Sequence, residues 1–108
     1  MTNFVEIDVY AYFLGYVGNV IAISFDCIAE SSTDLLIYAY QTRGISIKDS
    51  QNFAVTTSWN RYSFVTEIKN FGLSNIGSTM GSIGFFNSSI KFKIKNLKIE
   101  FGLEATPF

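Results

Sequence analysis

The sequence is poor in the residues on which most enzyme active sites depend. It contains no histidine, and its one cysteine is Cys27. Histidine is the commonest general base and a frequent zinc ligand, and a lone cysteine forms no internal disulfide. Cys27 stands in an apolar run, which favours a small buried side chain over a reactive thiol. Glu6 and Asp8 share one predicted strand, where a solvated edge is a simpler explanation than a pair of glycosidase carboxylates. No glycine-rich phosphate-binding motif is present either, so we expect a protein that is not an enzyme and has no cofactor.

A large charge excess and a long apolar run are also missing. Eight basic residues face nine acidic ones, for a net charge of −1, which gives no electrostatic reason to expect nucleic acid as a partner. The longest apolar stretch, around "NVIAISF", is far below the roughly 20 residues that cross a bilayer. Glu6 and Asp8 stand where a signal peptide needs an apolar core, so we expect no secretion signal.

What the sequence has is alternation with a period of two. The chain is 48% hydrophobic and 17% aromatic, enough for one domain, residues 1–108, with a real core. No window shows a helical apolar pattern, and the only proline is Pro107. The pattern predicts an all-β fold of seven or eight short strands, an antiparallel β-sandwich or jelly roll. The residues predicted to face inward are Val5, Ile7, Val9, Ala11, Phe13, Ile21, Ile23, Phe25, Cys27, Ala29, Leu35, Ile37, Ala39, Tyr62, Phe64, Thr66 and Ile68.

Three segments are predicted from local composition. Residues 44–52 read as a loop that leads into a short strand at 53–57, and the Gly-, Ser- and Asn-rich residues 70–82 read as a long exposed loop. A brief strand follows at 83–86. Phe85 and Phe86 are adjacent within it, so at least one of them leaves the core.

The last strand changes the parity of its apolar residues. Ile90, Phe92 and Ile94 are even-numbered and alternate with lysines, whereas Leu97, Ile99 and Phe101 are odd-numbered. In a regular strand, residues at even and odd positions face opposite sides, so one of these two apolar groups would face water. We therefore predict a bulge at Lys95 or Asn96, or a bend between the two sheets, with the lysines facing water and discouraging edge-to-edge pairing.

The final segment "IKNLKIEFGLEATPF" resembles the C-terminal strand and tail of carbohydrate-binding modules with a galactose-binding-like jelly roll. The resemblance is strongest to modules attached to bacteriophage tail and baseplate proteins. "GNVIAISFDCIAE" resembles the early strand of that family, and "TTSWNRYSF" resembles its tryptophan-led strand. The three motifs follow the family's order from about Gly18 onward.

The resemblance implies a non-catalytic module that binds saccharides on the host cell surface. It implies a place in a virion, with parent or neighbouring tail proteins as partners. Some members hold a structural calcium ion, for which Glu100 is the one candidate ligand here. An ordinary hydrogen-bonded carboxylate is the alternative, since calcium takes six to eight oxygens. Two other functions stay open: a virion assembly domain with an interface of Leu36, Val65 and Phe86, and an accessory module of a bacterial glycoside hydrolase.

Sugar sites combine flat aromatic surfaces with planar polar groups, and an aromatic ring inside the core cannot serve. The alternation turns four tyrosines outward on strands that can share one sheet, and a concave sheet would make them a groove. The alternatives are that this parity faces the core, or that the tyrosines are isolated residues that favour β-strands. Trp59 precedes a predicted strand, and Arg61 has the outward parity of that strand. The alternatives are a tryptophan packed at the sandwich edge and a surface salt bridge from Arg61 to Glu67 or Asp34. Gln41 and Asn52 are weaker candidates. The predicted ligand-binding residues are Tyr10, Tyr12, Tyr38, Tyr40, Trp59 and Arg61.

Overall fold

The computed structural model describes residues 1–8, 16, 18–42, 45–68 and 82–107, and for 40–42 and 45–49 it describes the backbone alone. Within these residues the chain forms seven strands and no helix. The strands are β1 (Phe4–Asp8), β2 (Val20–Ala29), β3 (Thr33–Thr42), β4 (Ile45–Val55), β5 (Asn60–Glu67), β6 (Ser82–Phe86) and β7 (Phe92–Phe101).

The strands form two antiparallel sheets. One sheet has the order β1-β6-β3-β4, and the other has the order β5-β2-β7. Their inner faces enclose a single apolar core, so the predicted all-β antiparallel β-sandwich is confirmed. No helix in the described part of the chain is long and apolar enough to cross a membrane.

The core follows the predicted alternation. Phe25 of β2 lies at its centre and stacks on Tyr62 of β5, with ring centroids 5.6 Å apart. It also meets Phe85 of β6 edge to face at 4.9 Å, which joins the two sheets. The inward residues confirmed as buried are Ile21, Ile23, Phe25, Cys27, Ala29, Leu35, Ile37, Ala39, Phe64, Thr66 and Ile68. Val5, Ile7 and Tyr62 are partly buried against them. Val9, Ala11 and Phe13 lie outside the described residues.

The predicted loop at 44–52 is wrong, because β4 begins at Ile45 and pairs with β3 as far as Val55. β4 is the edge of its sheet. An edge strand has a neighbour on one side only, so much of its surface faces water and the apolar alternation that marks a strand is weak there. The predicted loop at 70–82 lies outside the described residues, except for Ser82, which begins β6.

The predicted change of parity in the last strand is confirmed as a bulge at Asn96. Ser24 of β2 pairs with Lys98, but Asp26 pairs with Lys95, so β7 has one extra residue in this interval. Asn96 has φ = 53°, and asparagine tolerates this left-handed region better than most residues. The extra residue restores Leu97 and Ile99 to the core side of the sheet. Phe101, the third odd-numbered residue, pairs with Ile21 but is 56% exposed at the end of β7.

Candidate functional site

A row of apolar side chains crosses the outer surface of the four-stranded sheet, here termed the aromatic row. It consists of Phe4 of β1, Phe86 of β6 and Leu36 of β3, which are neighbours in the backbone pairing. Phe4 is 48% exposed and Phe86 40% exposed, and their rings meet edge to face with centroids 6.3 Å apart. The exposed Asn52 of β4 is paired with Leu36 and ends the row with a polar amide. The sheet therefore presents a shallow apolar strip across its strands, with a hydrogen-bonding group at one end.

A second row beside the first joins Glu6, Gly84 and Tyr38, which are paired in the same order across β1, β6 and β3. The Tyr38 ring lies flat over Gly84: a Cβ atom on that glycine would stand 2.1 Å from Cζ of the tyrosine. Across the glycine, the Tyr38 hydroxyl donates a hydrogen bond to Oε2 of Glu6 at 2.9 Å. Gly84 is needed here because only a residue without a side chain lets the ring cross the middle strand.

The predicted tyrosine groove is only partly within the described residues. Tyr38 has the expected outward parity, yet it is only 6% exposed because its ring lies against the sheet. Tyr40 is in β3, where its backbone pairs with Ser82. The side chain of Tyr40 and the whole of Tyr10 and Tyr12 lie outside the described residues.

The outer surface of the three-stranded sheet is covered in part by the C-terminal tail. Ala22 and Ser24 of β2 face outward, yet both are buried. Thr106 holds the tail in place: its N–H and hydroxyl both donate hydrogen bonds to the Glu100 carboxylate, the hydroxyl at 2.9 Å. Lys98 donates to Thr106 and pairs with Glu100 at 3.1 Å. The tail therefore closes part of this sheet to a ligand.

Arg61 takes part in an ion pair on this covered sheet. Its guanidinium donates to Asp26 at 3.1 Å and to the hydroxyl of Ser24 at 2.8 Å. The predicted partners of the salt bridge, Glu67 and Asp34, are wrong, because Asp26 lies directly opposite Arg61 in the β2–β5 pairing. Hydrogen bonds from Asn96 and then Arg61 lower the pKa of the Asp26 carboxyl. Arg61 is thus tied into the folded structure, on the surface opposite the aromatic row.

Trp59 lies on the same side as Arg61, one residue before β5. Its indole is 38% exposed, and the Lys95 ammonium lies 4.0 Å from the centroid of its ring. A cation over an aromatic face is attracted by the ring electrons, so one face of the indole already has a partner. The structure therefore brings Trp59 and Arg61 together on one sheet and separates both from Tyr38.

Glu100 was the one candidate for a calcium ligand. Its carboxylate accepts two hydrogen bonds from Thr106 and pairs with Lys98. The backbone N–H of Thr106 is the largest cause that lowers the pKa of Glu100. Among the described residues, no three His, Cys, Asp or Glu side chains are grouped so as to hold a metal ion.

A cavity of about 500 Å³ opens between β1 and β7, at the side of the sandwich. Half-buried Val5, Ile7, Ile94 and Leu97 line it. The ring of Phe92, its one aromatic residue, is fully buried. The cavity thus lacks an accessible aromatic surface, and the aromatic row remains the better candidate site.

Phe4 was not among the residues predicted from the sequence, and Phe86 was predicted for an assembly interface and not as a ligand-binding residue. Phe4 has the same even parity as Glu6 and Asp8, but the predicted strand began at Val5. Extending the alternation back by one residue identifies Phe4 as an outward aromatic. That it meets Phe86 depends on the pairing of β1 with β6, a contact between residues 82 positions apart that no local pattern reveals.

No family model matches the sequence, and no curated protein matches it. A solved structure described as "CBM4 structure and function", a carbohydrate-binding module, superposes on the chain with a TM-score of 0.63 and 12% sequence identity. The superposition covers 92% of this chain and 59% of the length of that one. At this identity the similarity shows the fold: the chain is a β-sandwich like that of a carbohydrate-binding module.

Proposed function

We propose that the chain is a non-catalytic carbohydrate-binding module whose ligand lies along the aromatic row. The exposed rings of Phe4 and Phe86 carry this proposal, because they stand side by side on an open sheet surface. Saccharides place the apolar C–H side of a pyranose on such rings and direct hydroxyl groups to neighbouring polar atoms. Asn52 and Glu6 supply those atoms on the adjacent positions of the sheet.

The second aromatic candidate, Trp59, supports the proposal less well. Lys95 lies over its ring, and the neighbouring Arg61 is bonded to Asp26 and Ser24. A sugar that stacked on the ring face under Lys95 would have to displace that ammonium. Binding on the aromatic row requires no such displacement.

Affinity at a single site is expected to be low. A shallow strip buries little of a ligand, and the loss of translational and rotational freedom opposes binding. Many copies on one particle would raise the avidity by several orders of magnitude without any new contact. The resemblance of the C-terminal segment supports a place on a bacteriophage tail or baseplate, in contact with host cell-surface saccharides, and such a particle would supply the many copies.

The proposal is tested with Phe4→Ala, Phe86→Ala and the double variant. Retardation in gels that contain soluble polysaccharides measures binding to a panel of plant, fungal and bacterial glycans. Each single variant is expected to weaken binding about tenfold, as a lost aromatic contact of about 1.4 kcal/mol requires. Val65→Ala is the matched control, because Val65 is 42% exposed but belongs to β5 in the opposite sheet. A double variant that binds as tightly as the wild type would refute the site.

Trp59 provides an independent check, because it is the only tryptophan. A ligand on the aromatic row leaves its fluorescence unchanged, whereas a ligand on the opposite sheet displaces Lys95 and alters the emission. Strong quenching by a glycan that still binds the Phe4→Ala and Phe86→Ala variants would move the site to Trp59.

Protein assembly is the second candidate function, favoured by the exposed apolar surface of the aromatic row itself. The interface expected from the sequence does not form one patch: Leu36 and Phe86 are on the outer surface of one sheet, and Val65 is on the other. Sedimentation velocity separates the two functions. A stable oligomer that Phe86→Ala dissociates would favour assembly, and a monomer would favour saccharide binding.

A further inference from the structure

Two carboxylates flank the aromatic row, one on each side. Glu6 follows Phe4 on β1, and Asp34 precedes Leu36 on β3, each two residues away on the same strand and therefore on the same surface. Both side chains are exposed. Two residues along a strand span about 7 Å, so each acid is within reach of a ring that rests on the row. A bound saccharide would thus meet a negative charge at both of its sides.

Glu6 is held in position by the second row. Its Oε2 accepts the hydrogen bond of Tyr38, whose ring is fixed against Gly84. Tyr38 is a neutral donor, so it orients the carboxylate without cancelling its charge. A charged group fixed before binding loses less conformational freedom on contact with a ligand.

Among the residues whose side chains the structure describes, positive charge lies on the other side of the sandwich. Every lysine or arginine whose side chain is described belongs to β5 or β7, or stands one residue before β7. These residues are Arg61, Lys91, Lys93, Lys95 and Lys98. The described side chains nearest the aromatic row that carry charge are therefore the two carboxylates, and a carboxylate attracts cationic ligands and repels anionic ones.

We propose that the aromatic row selects saccharides that carry free amino groups, an inference that rests on the carbohydrate-binding function proposed above. The pyranose lies on Phe4 and Phe86, and a protonated amine on the ring donates a charge-assisted hydrogen bond to Glu6. Such bonds are about twice as strong as neutral ones, and an ammonium near the Phe4 ring gains a further cation–π attraction. A neutral hydroxyl or acetamido group at the same position gains neither.

The test compares two ligands that differ only at the nitrogen. Oligomers of β-1,4-linked glucosamine are measured against fully N-acetylated oligomers of the same length by isothermal titration calorimetry. The buffer is mildly acidic, so that the amines are protonated. The wild type is expected to bind the amine form about tenfold more tightly, and this preference should shrink as salt is added.

Three variants show which carboxylate causes the preference for the amine form. Glu6→Gln should abolish most of the tenfold preference, because glutamine keeps an acceptor for Tyr38 but carries no charge. Asp34→Asn measures how much the second carboxylate contributes to the preference for the amine form. Glu67→Gln is the matched control: it removes an exposed acid of β5 on the opposite sheet and should change nothing. Thermal melts confirm that each variant folds.

Equal affinity for the two oligomers, an unchanged preference in Glu6→Gln, or failure to bind either oligomer would overturn the inference. Gel retardation by polysaccharides then tests the proposed carbohydrate-binding function separately. Retardation by any glycan that depends on Phe4 and Phe86 leaves the module function standing, whereas the absence of such retardation refutes both.

Discussion

Gly84→Ala is the substitution that tests the outer surface of the four-stranded sheet most directly. The new Cβ would stand 2.1 to 2.5 Å from three atoms of the Tyr38 ring, whereas non-bonded carbon atoms approach to about 3.5 Å. The ring would have to leave its place over β6 and give up its hydrogen bond to Glu6. Full exposure of a buried tyrosine costs about 4 to 6 kcal/mol, and the hydrogen bond contributes about 1 kcal/mol. A displaced ring keeps part of its contacts, so we expect a loss of about 2 to 4 kcal/mol in the free energy of unfolding.

The cause of that loss is isolated by repeating the substitution in a Tyr38→Ala background. Without the ring there is nothing to displace, and Gly84→Ala should then be neutral or stabilise the protein by about 0.5 to 1 kcal/mol through the reduced freedom of the unfolded chain. Urea unfolding followed by Trp59 fluorescence measures all four proteins of the cycle. Equal costs of Gly84→Ala in both backgrounds would show that the ring does not cross the glycine, and the reasoning about Glu6 would fail with it.

Two further predictions concern the three-stranded sheet. Burial raises the pKa of Cys27 to about 11, so the native thiol should resist a disulfide reagent at pH 8 and react at once in urea. The pKa values of Asp26 and Glu100 are lowered in the folded state, so their contribution to stability is present above about pH 4 and lost as the pH falls through the folded values. Melting curves should show this loss, and Asp26→Asn should flatten it.

The sequence was sufficient for the features that depend on one strand at a time. Alternation identified the inward residues of β2, β3 and β5, and the change of parity located the bulge at Asn96. It failed at β4, an edge strand whose two sides do not differ enough in polarity. Local pattern also could not show that Tyr38 would be buried, because its burial depends on Gly84, a residue 46 positions away that pairs with it.

The candidate site was harder to predict than the fold because it depends on what covers each sheet. Gly102 has φ = 128° and donates its N–H to Val20, and the chain turns there at the end of β7. The residues that follow return over Ser24, where Thr106 is bound by Glu100 and Lys98. Glu100, Gly102 and Thr106 belong to the segment that resembles carbohydrate-binding modules, and here their interactions are internal. The motif that suggests sugar binding therefore covers part of the three-stranded sheet, and the site that we propose, the aromatic row, lies on the opposite surface.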